Sequence, residues 1–184
     1  MSDNDKARSH KVYEWARLQV GKRVGAGECW DLADRALRQA GARSSTTTGN
    51  ADNYDWGTPV TPVQAVVPGD ILQFRDYVVR TTVTTTYPDQ STDSTWSEII
   101  RPHHTAIVAA NHGAKGLVIL EQNLRKSAPV QRNVLHLANG LIKTESKTIS
   151  EAGPDGKRRL VPVVVTTTVE VTGLVWAYRA AAKK

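Results

Sequence analysis

The sequence predicts an α+β fold in which N-terminal helices pack on an antiparallel β-sheet. Helical periodicity is confined to roughly the first forty residues, whereas short apolar and β-branched runs separated by turn residues fill the chain from residue 71 onward. Helices that precede a series of strands, instead of alternating with them, favour an antiparallel sheet. At 184 residues, the whole chain (1–184) is expected to form a single domain.

The first helix is predicted over residues 6–20 and the second over residues 29–40. In both, apolar residues recur three or four positions apart, the period of one buried helix face. These residues are Val12, Trp15, Ala16 and Val20 in the first helix, and Leu32, Ala33, Ala36, Leu37 and Ala40 in the second. Gly21 and Gly41 end the two patterns. Cys29, the only cysteine, therefore falls in the first turn of the second helix.

The rest of the chain is predicted to be β-structure after a long irregular connection over 42–69. Strands are expected at 71–74, 77–87, 96–100, 104–109, 117–123, 130–137, 141–149, 160–171 and 174–178. Two segments resemble insertions, near 77–100 and 139–171, since each has two β-prone arms around a turn, Pro88-Asp89 in one and Gly153-Pro154-Asp155-Gly156 in the other. They are either solvent-exposed hairpins or surfaces that pair with each other, line a substrate groove or mediate self-association.

Composition and charge exclude several classes of function. The net charge of +6 favours polyanionic neighbours, but the basic residues are scattered and form no nucleic-acid-binding motif, so no nucleic-acid partner is expected. No stretch approaches the roughly 20 apolar residues of a membrane helix. The polar segment 1–5 lacks the apolar core of a secretory signal, which predicts a protein that is cytoplasmic at synthesis and reaches any extracellular or periplasmic substrate by another route.

The segment 102–123 gathers polar residues that favour catalysis. If its two strands pair with His104 opposite Glu121, then Glu121 and Asn123 share the face of His104 while Gln122 points away, because side chains alternate along a strand. The other pairs in this register are Ala106 with Ile119 and Val108 with Leu117. His10, His103, His112 and His136 are expected to lie at the surface or away from this face.

A cysteine nucleophile requires this combination of residues. The thiolate is the reactive form, and a helix N-terminus stabilises it through its partial positive charge, which Cys29 would experience. An imidazole takes the thiol proton, and a carboxylate or amide orients the imidazole. His104 would be this base, with Glu121 and Asn123 as the orienting residues.

Four segments follow one another along the chain, and their order is more specific than any one of them: Gly27-Glu28-Cys29-Trp30, Pro68-Gly69-Asp70-Ile71-Leu72-Gln73-Phe74, His104-Thr105-Ala106-Ile107-Val108 and Ile119-Leu120-Glu121-Gln122-Asn123. Together they resemble CHAP domains (cysteine, histidine-dependent amidohydrolases/peptidases) and, less closely, NlpC-type peptidases. The resemblance implies a papain-like fold with Cys29 as nucleophile, His104 as base, and Glu121 and Asn123 as orienting residues. It also implies cleavage of amide bonds in bacterial peptidoglycan. Glu28 departs from the Gln that often precedes the cysteine, which removes a hydrogen-bond donor to the oxyanion.

The resulting hypothesis is a cysteine hydrolase, an amidase or endopeptidase, that cleaves a peptide or peptidoglycan through a thioester intermediate. No metal or organic cofactor is implied. One alternative keeps the fold and changes the substrate: a cytosolic amidase, deamidase or acyl transferase. The other is a non-catalytic binding or assembly protein whose Thr/Val-rich hairpins make the contacts, including self-association.

Overall fold

The computed structural model describes residues 3–47, 54–153 and 155–183. Within them, two α-helices precede nine strands, so the α+β class is confirmed at this level. The helices are α1 (Asp3–Arg17) and α2 (Cys29–Gln39). The strands are β1 (Thr46–Thr47), β2 (Tyr54–Asp55), β3 (Thr58–Pro59), β4 (Ile71–Thr86), β5 (Thr92–Asn111), β6 (Leu117–Glu121), β7 (Gln131–Leu135), β8 (Gly140–Ala152) and β9 (Arg158–Arg179). Neither helix has the length and apolar character needed to cross a membrane.

The main sheet has the strand order β3-β9-β4-β5-β6-β7, with β8 paired to β9. β6 is antiparallel to both β5 and β7, and β1 and β2 form a separate small ribbon. Several strands predicted as separate runs are continuous, because polar or glycine positions that interrupt the apolar pattern do not interrupt the backbone pairing. Asp76 (φ 50°) in β4 and Gly173 (φ 86°) in β9 mark two such positions.

Both helices bury apolar residues that the sequence predicts, although α1 begins and ends three residues earlier than expected. α1 ends at Arg17 instead of residue 20, so Val20 lies beyond the helix and is 46% exposed, whereas Val12 and Ala16 are buried. In α2 the buried apolar residues are Leu32, Ala33, Ala36 and Leu37. Full burial of each leucine contributes about 2 kcal/mol to folding. The helices pack with Trp56 and with Ile71, Ile107 and Leu120 of the sheet.

The described chain divides into two compact units. Unit 1 comprises Met1–Tyr77, Arg101–Leu137 and Gly173–Lys184, and it holds both helices and the main core. Unit 2 comprises Val78–Ile100 and Ala138–Thr172, the stretches that the sequence marks as insertions, and it contains all of β8 and parts of β4, β5 and β9. Most side chains described in unit 2 are exposed or half-buried. Of the turn expected at 153–156, Pro154 lies outside the described residues.

Candidate active site

Cys29 is the first residue of α2, and the preceding loop is held in a defined conformation. Glu28 is the N-cap, with an extended backbone. The carboxylate of Asp31 accepts the backbone N–H groups of Gly27 and Glu28 at 3.1 and 3.0 Å. A Cβ at Gly25 (φ 63°) would collide with this carboxylate, so the loop requires glycine there. The half-buried Cys29 therefore stands on a fixed helix start.

Gln122 holds the same loop from the other side. Its side chain is fully buried, and its Oε1 accepts the N–H of Val24 at 2.7 Å. Its Nε2 donates to the carbonyls of Val24 and Glu28 at 3.0 and 2.9 Å. Strand alternation predicts Gln122 on the face opposite His104. The structure links it directly to the segment that carries Cys29.

His104 lies on β5 between a thiol and a carboxylate. It is only 6% exposed, and its Nε2 is 2.9 Å from Oε2 of Glu121, off the axis of the N–H bond. Burial by itself lowers the pKa of His104, but interactions with Cys29 and Glu121 outweigh burial and raise it to about 9. The imidazole is therefore protonated at neutral pH, with the Glu121 carboxylate and the Cys29 side chain as its two neighbours in the site.

The register between β5 and β6 differs from the predicted one by two residues. Ala106, not His104, lies directly opposite Glu121. Pairing His104 with Glu121 would put the centre of the hairpin between His112 and Gly113, whereas the loop contains a 3₁₀ turn at Gly113–Lys115 and β5 has a bulge between Val108 and Ala110. A shift of two preserves the face of each side chain, so Glu121 still reaches His104 as a diagonal neighbour.

Glu121 is fully buried, and both oxygens of its carboxylate have polar partners. Arg101 binds it with two parallel hydrogen bonds, Nε to Oε2 at 2.8 Å and Nη2 to Oε1 at 2.6 Å. Asn133 on β7 donates to Oε1 at 2.8 Å. Burial raises the pKa of Glu121, but Arg101 and His104 outweigh burial and lower it to about 2. Glu121 is thus a permanent carboxylate at neutral pH.

Asn123 does not take the predicted position beside His104. β6 ends at Glu121, and Asn123 has a left-handed backbone (φ 63°) in the following turn. Its Nδ2 donates to Oε2 of Glu28 at 2.8 Å, and its Oδ1 accepts the N–H of Ser127 at 2.8 Å. Asn123 therefore fixes the Glu28 side chain next to the nucleophile, and the strand alternation that placed it on the histidine face does not extend to it.

The other residues considered from the sequence lie outside this cluster. His10, His103 and His112 are exposed, as expected, whereas His136 is half-buried and burial lowers its pKa. Trp30 packs with Tyr54 and Trp56 in an aromatic group and donates to the hydroxyl of Ser45 at 3.0 Å.

Sequence reasoning missed Arg101 and Asn133. Arg101 falls in the gap between two predicted strands, where no apolar alternation draws attention to it. The buried residues Arg101 and His104 flank two exposed ones, Pro102 and His103, so the strict alternation of β5 is interrupted there. Proline has no N–H to pair and favours such irregular positions, which was the only sequence indication available.

Residues 1–143, which include the whole cluster, match the family model described as AIM3/BBC1 Cysteine proteinase-fold domain. The chain belongs to this family. Among curated proteins it is similar to Altered inheritance of mitochondria protein 3 of Debaryomyces hansenii, at 29% identity over 141 residues, which cover 70% of this chain and 14% of that protein. The chain thus spans about a seventh of the relative's length. No solved structure matches.

Membership of the AIM3/BBC1 family corrects two expectations. The papain-like cysteine proteinase fold is confirmed, but the family is not the CHAP or NlpC family that the motifs suggested. The main functional hypothesis, amide hydrolysis in peptidoglycan, is wrong: the family match points elsewhere, and the relative is a yeast protein whereas peptidoglycan is a bacterial polymer.

Proposed function

We propose that the chain is a thiol-dependent acyl-transfer enzyme, an amidase, deamidase or acyl transferase whose substrate is a carbonyl compound other than peptidoglycan. The observation that supports this most strongly is the position of His104, buried with Cys29 and Glu121 as the neighbours that raise its pKa to about 9. Charged groups are buried at a cost of several kcal/mol, and perturbed titration in such a cluster is typical of functional sites.

In this proposal Cys29 attacks the substrate carbonyl as a thiolate. The carbonyl carbon gains the S–C bond, and its oxygen takes the negative charge. The N-terminus of α2, with its partial positive charge, stabilises the negative charge that develops beside Cys29. Collapse of the tetrahedral species breaks the bond to the leaving group, to which the His104 imidazolium gives its proton, and an acyl thioester remains on Cys29. Water or an amine, deprotonated by His104, then releases the acyl group. Glu121 holds the imidazole throughout.

The proposal is tested by asking whether the protein forms and discharges an acyl thioester. The protein is incubated with 4-nitrophenyl acetate, and intact-mass and peptide mass spectrometry follow the modification. We expect one acetyl group on Cys29 and its transfer to added hydroxylamine, with neither in the Cys29→Ala variant. If labelling is absent or is distributed over lysines, the acyl-transfer proposal fails.

A second candidate is a non-catalytic assembly role for unit 2. Most of the large apolar side chains that are exposed in the described residues lie in this unit: Trp96, Ile99, Ile100, Leu141, Ile142, Leu160 and Val164. Among the described strands, β8 pairs with β9 alone, which leaves its outer edge without a strand partner. An unpaired edge of this length is a template for pairing with another chain.

The charges on β8 fit a second copy of the same strand. Glu145 lies between Lys143 and Lys147, to which it is paired at 3.1 and 3.0 Å. If two copies pair antiparallel about Ser146, each Glu145 stands opposite the partner's Lys147, a self-complementary arrangement. Sedimentation velocity over a concentration series should show a dimer that Lys147→Glu weakens and the exchange Glu145→Lys with Lys147→Glu restores. A monomer at every concentration would exclude this candidate.

A further inference from the structure

Arg101 is neither the nucleophile, the base nor the orienting residue of the proposed mechanism, yet it is as buried as any residue in the cluster. Its side chain and that of Glu121 are both 0% exposed. Its guanidinium carbon lies 5.7 Å from the ring centre of Phe74 and 5.5 Å from that of Tyr77. The third nitrogen, Nη1, has no hydrogen-bond partner among the described residues. Within the described part of the chain, the side-chain hydrogen bonds of Arg101 therefore all go to Glu121.

The contacts form a row of alternating charge through the site. Arg101 binds both oxygens of Glu121, Oε2 of Glu121 lies 2.9 Å from His104, and His104 interacts with Cys29. With His104 as imidazolium and Cys29 as thiolate, the row carries two positive and two negative charges. Without Arg101 the same row would carry a net negative charge in a buried site, where a compensating charge matters most.

We infer that Arg101 is a positioning residue: its two-pronged contact holds the Glu121 carboxylate against His104, and its charge balances the row that ends at Cys29. The inference rests on the proposed function, since it assigns Arg101 to the thiolate–imidazolium pair. A bidentate guanidinium fixes both oxygens of a carboxylate in one plane, which a single ammonium cannot do. Asn133 completes this arrangement from β7 with its bond to Oε1.

The place of Arg101 in the chain allows this contact. The interruption at Pro102 and His103 brings Arg101 and His104 to the same carboxylate, although strict alternation would put them on opposite faces. Tyr77 of β4 is a titratable residue that also packs against Arg101; burial raises its pKa to about 12, and its hydroxyl donates to the backbone carbonyl of His136 at 2.7 Å. Tyr77 is thus neutral over the range in which the row titrates.

The sign of the effect follows from charge alone. Loss of a positive charge makes every neighbouring group keep its proton to higher pH, both the thiol of Cys29 and the imidazolium of His104. The pH profile of Cys29 alkylation by iodoacetamide should therefore move to higher pH in Arg101→Gln, by on the order of one pH unit. Arg101→Lys keeps the charge but loses the two-pronged contact, so its profile should stay in place while the rate of acylation by 4-nitrophenyl acetate falls about 10- to 100-fold.

Two further variants make the experiment decisive. Asn133→Asp adds a negative charge beside Oε1 of Glu121 on a half-buried side chain of β7, so it tests the same charge balance if Arg101→Gln does not fold. It too should move the profile to higher pH. Arg80→Gln is the matched control, because it removes one arginine whose partner is Glu98 in unit 2, and it should leave the profile unchanged.

The outcomes separate the inference from the proposed function. If Arg101→Gln folds and its pH profile of Cys29 alkylation matches that of the wild type, the inference is overturned and the proposed function stands. If Arg101→Gln does not fold, an unchanged pH profile in Asn133→Asp has the same consequence. If Cys29 of the wild type is no more reactive at about pH 6 than free cysteine, and takes no acetyl group, the proposed function fails and the inference with it.

Discussion

Replacing Gln122 with alanine should destabilise the protein by about 3 kcal/mol, because three hydrogen bonds are lost at a fully buried position. Each such bond contributes about 1 kcal/mol net, and the N–H and C=O of Val24 and the C=O of Glu28 are left without this partner. The empty volume adds to the loss. The same change frees the loop that leads into Cys29, so alkylation of the thiol should slow even under conditions where the variant is fully folded.

Urea unfolding followed by tryptophan fluorescence measures the first effect, and the rate of iodoacetamide labelling at low urea measures the second. Gln122→Glu is informative because it keeps the shape and the acceptor for Val24 while removing both donors, and it should be no more stable than Gln122→Ala. Gln64→Ala is the matched control, since Gln64 is exposed and its change should stay within about 0.5 kcal/mol. If Gln122→Ala unfolds at the wild-type urea concentration, the reasoning that the amide holds the nucleophile loop is refuted.

Three further predictions concern the pH dependence and the turn beside the site. The pKa of Glu121 is lowered to about 2, so its contribution to stability, on the order of 3 kcal/mol, is present above about pH 4.5 and lost as the pH falls through 2. Urea unfolding measured between these pH values should show this loss. Glu121→Gln should abolish the pH dependence and should destabilise the protein at neutral pH by about 3–5 kcal/mol, because Arg101 is left unpaired. The pKa of His104 is raised to about 9, so its contribution is complete below about pH 6.5 and lost as the pH rises through 9; His104→Ala should flatten unfolding free energy over this interval, and an unchanged slope would contradict the buried charge. Asn123→Ala removes the hydrogen bonds to Glu28 and to Ser127 in the turn, so thermal melting should show a loss of about 1 kcal/mol in stability. The rate of Cys29 labelling should change less than tenfold. A larger change would indicate that Asn123 acts on His104 after all.

Alternation along a strand was sufficient to associate Glu121 with His104, because it depends only on the parity of positions. The register itself was not predictable, since it depends on the bulge after Val108 and on the 3₁₀ turn that lengthens the loop. A shift of two residues leaves each side chain on the same face of the sheet. Glu121 therefore contacts His104 as predicted, although the predicted strand register is wrong by two residues. Asn123 shows the limit of the argument, because alternation says nothing beyond the end of a strand.

Arg101 and Gln122 were not predictable as parts of the site for a different reason. Each owes its role to hydrogen bonds with residues distant in the sequence: Arg101 binds Glu121, and Gln122 binds Val24 and Glu28. The positions of the helices followed from periodicity, with an error of three residues at each end of α1 and of one residue at the end of α2. The continuity of β4, β5 and β9 could not be predicted from periodicity. The polar residues at 75–76 and 101–103, for example, resemble strand ends until their backbone partners are known.

The acylation of Cys29 and its dependence on His104 test the central claim most directly. Wild-type protein, Cys29→Ala, His104→Ala and His103→Ala are each mixed with 4-nitrophenyl acetate at neutral pH, and nitrophenolate release is recorded alongside the intact mass. We predict a burst of one equivalent and a single acetyl group on Cys29 in the wild type, a burst slowed by about 10²–10⁴-fold in His104→Ala, and little change in His103→Ala, whose side chain is exposed. Equal acylation rates in the wild type and His104→Ala would show that the two residues do not act as a pair.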